Sequence, residues 1–225
     1  MSNAAITRRA FVSALGASVV AGCGENPLGS NLVRAVRFSF IGQPDAPFDR
    51  TTVNNLPYAS IAAKIGKGPR SLLILTRQEN EDLLWASADN VIIATRKGRV
   101  VRTAGLPENL RKTVSLTPDP VAQGLHEANG GETYGRTMDL DLGNHYGLQI
   151  DSEFEVVGPR DITITEIDFE TILVREKNEA RTLNWYFENL YWVDPADGFV
   201  WKSRQHIART FPPIVIESLK PAALG

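Results

Sequence analysis

LNWYFENLYWVDPADGFVWKSRQH, residues 183–206, decides the fold. Leu183 to Val193 reads as a strand on which Trp185, Phe187 and Tyr191 share one parity, because successive side chains on a strand point to opposite faces. Asp194-Pro195-Ala196-Asp197-Gly198 follows. Pro195 suits a type I turn, and Gly198 a left-handed bulge position. The return strand, Phe199 to His206, carries Phe199 and Trp201 on one parity, so the stretch is an aromatic hairpin. Large aromatics on paired strands are above all core and cross-strand packing residues. They can also stack on sugar rings, and Lys202 and Arg204 beside them can complement an acidic polymer or partner. Trp185, Tyr191, Trp201 and Arg204 are therefore candidate contacts for a saccharide or a protein partner.

The same grammar recurs upstream. Ser71 to Thr76 and Val91 to Thr95 are short β-rich runs flanked by breakers, and Lys97-Gly98 turns the second run directly into Arg99 to Arg102. Asp161 to Thr165 alternates strictly, and Ile167 and Phe169 then take the opposite parity, which predicts a bulge near Glu166 and a curved sheet. Ser30 can cap a brief helix with Leu32, Val33, Val36 and Phe40 at helical spacing. Pro107 can open another through Leu110 to Lys112. Thr117 to Thr133, with Pro118, Pro120, Gly124, Gly130 and Gly131, reads as a long irregular connection. Short strands without long intervening helices predict a mainly β fold: an antiparallel curved sheet, barrel-like or sandwich, with one or two short helices.

The first 23 residues read as an address. Arg8-Arg9 precedes a small apolar run, Ser13 to Ala21, which ends at Gly22-Cys23. The order matches a twin-arginine export signal, with the general export route as the alternative because the common lysine is missing after Phe11-Val12, and the apolar run is too short to span a bilayer. Val20-Ala21-Gly22-Cys23 has the form of a bacterial lipobox, cleaved before a cysteine whose thiol takes a diacylglycerol. The expected organisation is a removed signal peptide at 1–22, a lipidated tether at 23–30 and a single β-rich domain at 31–225. Gly24 after the cysteine favours sorting to the outer membrane. Cys23 is the one cysteine, so lipidation leaves no thiol for a disulfide. The net charge is −2, and loss of Arg8 and Arg9 makes the mature chain near −4, which argues against nucleic acid as a partner.

Few residues carry a chemical signature. Glu166, Asp168 and Glu170 share one parity of the 161–174 segment, roughly 6 to 7 Å apart at strand spacing. Paired carboxylates can serve glycoside hydrolysis, and three can hold calcium, although neighbouring carboxylates are ordinarily a solvated face. His126, His145 and His206 are scattered and read as surface or loop residues, so no metal site is expected. No nucleophile elbow, phosphate-binding loop or dinucleotide fingerprint is present, and no cofactor is expected.

Seven blocks fall in a recognisable order behind the lipobox: Leu56-Pro57-Tyr58-Ala59-Ser60, Trp85 to Asn90, Gly98 to Thr103, Tyr191-Trp192-Val193-Asp194, Gly198-Phe199-Val200, Ser203-Arg204-Gln205 and Leu219-Lys220-Pro221. The chain resembles the YjbF/GfcB lipoproteins of exopolysaccharide and group 4 capsule operons. The resemblance implies a barrel-like domain anchored by Cys23 at the outer membrane, facing the periplasm. It also implies a non-enzymatic accessory role in polysaccharide secretion or assembly, with an outer-membrane β-barrel protein of the same system as partner. The apparent twin-arginine signal departs from the family pattern. Two alternatives stand beside this reading: a carrier holding a lipid or lipid-linked ligand in a β-cavity, and a polysaccharide hydrolase using Glu166 and Asp168.

Overall fold

Alternating side chains and tight turns build nearly the whole molecule in the computed structural model, which describes residues 48–222. A short helix, α1 (Arg50–Asn55), precedes β1 (Ser60–Ile65), β2 (Arg70–Glu79), β3 (Asp82–Ser87), β4 (Ile92–Arg96), β5 (Arg99–Ala104) and β6 (Leu110–Ser115). A one-turn helix, α2 (Pro120–Gln123), leads to β7 (Thr133–Leu140), β8 (Leu148–Pro159), β9 (Ile162–Ile164), β10 (Ile167–Phe169) and β11 (Ile172–Ala180). The chain finishes with β12 (Trp185–Val193), β13 (Val200–Gln205) and β14 (Ile214–Lys220). The expected signal peptide, the expected tether from Cys23 and the helix expected after Ser30 lie outside the described residues.

Twelve strands form one antiparallel sheet in the order β5-β4-β3-β2-β1-β14-β13-β12-β11-β8-β7-β6. Every ladder of this sheet joins sequence neighbours except that of β1 with β14 and that of β11 with β8 across the β9–β10 excursion. The two edge strands, β5 and β6, lie side by side and bring the sheet almost to closure. At that seam the Leu110 N–H donates to Thr103 Oγ1 at 3.0 Å, so a side chain stands in for a ladder bond. The architecture is the barrel-like one of the two expected, not the sandwich.

The barrel has two unlike ends. Trp85, Ile93, Ile150, Trp185, Phe187, Ile207 and Phe211 belong to one large interior cluster. A second interior cluster gathers Val121, Leu125, Tyr134, Phe154, Tyr191 and Val193. A third lies on the outer wall, where β9–β10 and α1 fold over β1 and β14 and bury Phe48, Val53, Ala62, Ile164 and Leu219. Lys220 Nζ donates to the Leu56 carbonyl at 2.7 Å and Arg50 to that of Leu219 at 3.2 Å, strapping the incoming chain to β14.

Two local expectations are corrected. Leu110 begins a strand, not a helical turn: Asn109 bonds both N–H and C=O of Leu106, and the Asn109 N–H donates to Asp141, so the polar groups are satisfied in a turn while Leu110 is drawn into the core. The parity change near Glu166 is a two-residue hairpin turn, with Ile167 opposite Ile164 and both Thr165 and Glu166 at positive φ. The bulge lies elsewhere: Trp192 faces Lys202 and Val193 faces Val200, so Trp201 is the extra residue on β13. The bulge turns Trp201 to the outer wall while Val200 packs with the interior cluster of Tyr191 and Val193.

Thr165, at φ 46°, is a β-branched residue in the left-handed region, where its Cβ is crowded. A type I′ turn favours Asn-Gly at these positions. The double substitution Thr165→Asn, Glu166→Gly is expected to stabilise the fold by about 1 kcal/mol, read as a higher urea midpoint with an unchanged slope.

Candidate functional site

Polar residues at inward positions converge inside the barrel. β7 alternates Tyr134, Arg136, Met138 and Leu140 inward, and β11 does the same with Val174, Glu176, Asn178 and Ala180, all buried. Glu176 is wholly buried and receives Arg99 Nη1 at 3.0 Å and Arg136 Nη1 at 2.9 Å on Oε1. Its Oε2 receives Asn189 Nδ2 at 2.8 Å and the Tyr191 hydroxyl at 3.0 Å. Arg136 continues to Ser152 at 2.7 Å and to Asn178 at 2.9 Å. The rings of Tyr134 and the Arg99 guanidinium lie 4.7 Å apart, a cation–π contact.

Burial alone would push the Glu176 carboxyl up, but Arg99, Arg136, Asn189 and Tyr191 together outweigh it and hold the group down at about 2. Burial likewise opposes the charge on Arg99, yet Glu176, Tyr191 and Asp119 raise it well above its ordinary value. Tyr191 is pushed well up by burial and by the neighbouring carboxylates, against the pull of Arg99, so it stays a neutral donor. The cluster is a fixed ionic knot: every charge in it is spent on a neighbour.

Arg99 also reaches outward along the barrel. Its Nε and Nη2 grip both oxygens of Asp119 at 2.6 and 2.8 Å, and Asp119 simultaneously caps α2 by accepting the Val121 N–H at 3.0 Å. The α2 segment is thereby pinned across one end of the barrel. His126 completes the contact by lying over the β12–β13 turn. A Cβ at Gly198 would stand 2.3 Å from His126 Nδ1, and Gly198 has φ 78°, so this position requires glycine twice over.

Beside α2 this end stays open as a cavity of about 520 Å³. Ile61, Leu83, Trp85, Phe199 and Ile216 form its apolar wall, interrupted by Thr95, Ser203 and Ser218. Asn80, Glu81, Lys97 and Asp197 stand at its rim, on the β2–β3, β4–β5 and β12–β13 turns. Gln205 links cavity to knot: its Nε2 donates to Ser203 Oγ at 2.9 Å and to the Gly98 carbonyl at 2.8 Å.

The residues singled out from sequence fall in three places. Trp185 and Tyr191 are buried, Trp185 stacked at 3.9 Å on Phe187 and Tyr191 inside the ionic knot, so neither offers a face to a ligand from outside. Trp201 is half-buried on the outer wall, 4.1 Å from Phe169, with its Nε1 donating to Asp194 at 3.0 Å. Arg204 is half-buried on β13 between Leu190 and Val215. The four do not form one surface. Glu166, Asp168 and Glu170 are exposed on or beside the β9–β10 hairpin, where Asp168 accepts the Thr163 hydroxyl at 2.7 Å, so they lack the sheltered cleft that the hydrolase alternative needs. His126, His145 and His206 are far apart in the fold, and among the described residues no three His, Cys, Asp or Glu are placed to hold a metal.

Arg99, Asp119, Arg136 and Glu176 escape sequence reasoning because each looks like an ordinary surface charge. The usable signal is parity: Arg136 sits between inward Tyr134 and Met138, and Glu176 between inward Val174 and Asn178. Glu176→Gln is expected to destabilise the protein by about 3 to 5 kcal/mol at neutral pH, because two guanidiniums lose their buried counter-charge. The wild-type carboxyl is depressed from its unfolded value, so its contribution is complete above about pH 4.5 and is lost as pH falls toward about 2. Thermal melts across that window are expected to show a steep acid limb in wild type and a shallower one in the variant.

Relatives of this barrel are known. The chain is 26% identical over 215 residues to the uncharacterized lipoprotein GfcB of Escherichia coli K12, covering 95% of this chain and 99% of the relative. It is 23% identical over 185 residues to the uncharacterized lipoprotein YjbF of the same organism, covering 82% and 85%. Among solved structures, the hypothetical lipoprotein YmcC from Escherichia coli K12 superposes with a TM-score of 0.72 at 25% identity, over 86% of this chain and 96% of that one. With residues 33–219 matching its profile, the chain belongs to the YjbF family, described as the group 4 capsule polysaccharide lipoproteins GfcB and YjbF.

Proposed function

We propose that this protein is a non-enzymatic accessory lipoprotein of exopolysaccharide or capsule secretion. It is lipidated on Cys23, held on the periplasmic side of the outer membrane, and works with an outer-membrane β-barrel protein of the same system, with the polymer, or with both. The observation that carries the reading is the family match along residues 33–219. The chemistry of the knot supports it: Glu176 is ionised and saturated by four donor residues, so it has no proton to deliver and no free lone pair directed at a substrate. Two or more acyl chains on Cys23 would hold the protein at a membrane essentially permanently, since each buried CH₂ contributes about 0.8 kcal/mol. Among the described residues no helix is long and apolar enough to cross a membrane.

A second reading, carriage of a lipid or lipid-linked chain, draws on the 520 Å³ cavity with its open mouth. Mass spectrometry of organic extracts of the purified protein distinguishes it, since a carrier co-purifies with its lipid.

Deleting the gene is expected to reduce surface polysaccharide, and Cys23→Ser is expected to leave the protein in the soluble periplasmic fraction without restoring the polymer. Unchanged polysaccharide in the deletion strain would overturn the proposal. Cross-linking in intact cells is expected to recover an outer-membrane barrel protein with the wild-type chain.

A further inference from the structure

The cavity at the mouth is lined for a ligand that is neither purely apolar nor highly charged. Trp85 is buried in its wall, and its Nε1 donates to Thr95 Oγ1 at 2.8 Å, which fixes the indole and leaves the Thr95 hydroxyl its own proton to give. Ser203 accepts from Gln205 and likewise keeps its O–H. Ser218, on β14, lines the same wall, is buried as a residue and makes no side-chain hydrogen bond with the described residues. Three hydroxyls thus interrupt a wall of Trp85, Phe199, Leu83 and Ile216.

From this lining we infer that the mouth cavity is a saccharide subsite, taking a short segment of an uncharged or amino-sugar glycan. An acyl chain in this space would cover all three O–H donors and give them no acceptor, a cost that a sugar avoids by bonding to them. Sugar C–H faces pack against an immobilised aromatic ring and aliphatic neighbours, as Trp85, Phe199 and Ile216 provide. The volume, about 520 Å³, lies within the range of small-molecule sites and admits only a few sugar rings. Rim charge sets the ligand's sign: Glu81 and Asp197 face a single cation, Lys97, so the entrance disfavours a polyuronate. The site takes Phe199 and Ser203 from the hairpin that the sequence brings forward, but none of Trp185, Tyr191, Trp201 and Arg204 lines it. Its ligand lies inside the barrel, against β1, β3, β13 and β14, and not on the outer wall.

The inference rests on the proposed role in polysaccharide secretion, and the two fail separately. Full-length protein in nanodiscs is titrated by calorimetry with chitotriose, maltotriose and trigalacturonate. At least one neutral trisaccharide is expected to saturate with a Kd of about 1 mM or tighter, with trigalacturonate about tenfold weaker or absent. Ser218→Leu, which fills the space, is expected to weaken binding by more than about tenfold, and the milder Ser218→Ala to weaken it by a smaller factor if the larger side chain prevents folding. No saturation by any neutral trisaccharide, or displacement of a bound fluorescent fatty acid by oleate alone, overturns the subsite. In cells, a folded Ser218→Leu protein that restores polymer fully to a deletion strain removes the subsite while leaving the secretion role standing. A deletion strain with normal polymer removes the role instead.

Discussion

One carboxylate, that of Glu176, holds five separate stretches of chain to a common point. Arg99 comes from β5, Arg136 from β7, and Asn189 and Tyr191 from β12, while Asp119 joins through Arg99 from the segment before α2. Taking such charges out of water is expensive, and an apolar cluster of the same volume would often match the knot in stability. What an apolar cluster lacks is direction. A one-residue slip of β7 or β11 would turn Arg136 or Glu176 to the outside and leave its partner buried and alone, so each strand is held to its register. β5 and β7 stand on opposite sides of the seam, and their arginines meet on the same carboxylate there, where ladder bonds give way to the Thr103 side chain.

The knot also organises the ends of the barrel. Its grip on Asp119 sets α2 across the mouth, and Gln205 carries the hydrogen-bond chain on to Ser203 in the cavity wall. The opposite end needs no such device. Trp185, Phe187 and Phe211 fill it with ring stacking and apolar contact, which is dense but carries little directional information. The molecule therefore divides along its axis into an apolar base, a charged waist and a partly open mouth.

Much of this was legible from residues alone, and the limits have physical causes. Alternation in 183–193 gave the correct parity for Trp185, Phe187 and Tyr191, and Lys97-Gly98 marked its turn without error, because both signals are local. Phe199 and Trp201 do stand together, their rings 4.7 Å apart, but the bulge at Trp201 that sets where they face was hidden, since period-two patterns assume none. The Thr165–Glu166 turn was hidden for a related reason: neither residue is a usual occupant of the left-handed region, so the parity change looked like a bulge. Of the candidate site, nothing in local sequence brings Arg99 to Glu176, which are 77 residues apart and meet only when the sheet curls up on itself. α1 went unseen because after Arg50 every residue, Thr51 to Asn55, is a weak helix former, and only Asp49, accepting the Thr52 N–H at 2.8 Å, marks its start.

The pairing of β1 with β14 gives the barrel a polarity. β1 begins where β14 ends, as Ser60 faces Lys220, and that is the end at which the β2–β3, β4–β5 and β12–β13 turns surround the cavity. β1 therefore enters the sheet at the mouth and β14 leaves it there. The chain ahead of β1 does not stay at that end: Phe48 lies on the outer wall with its ring 4.7 Å from the Arg70 guanidinium, beside the β1–β2 turn at the base.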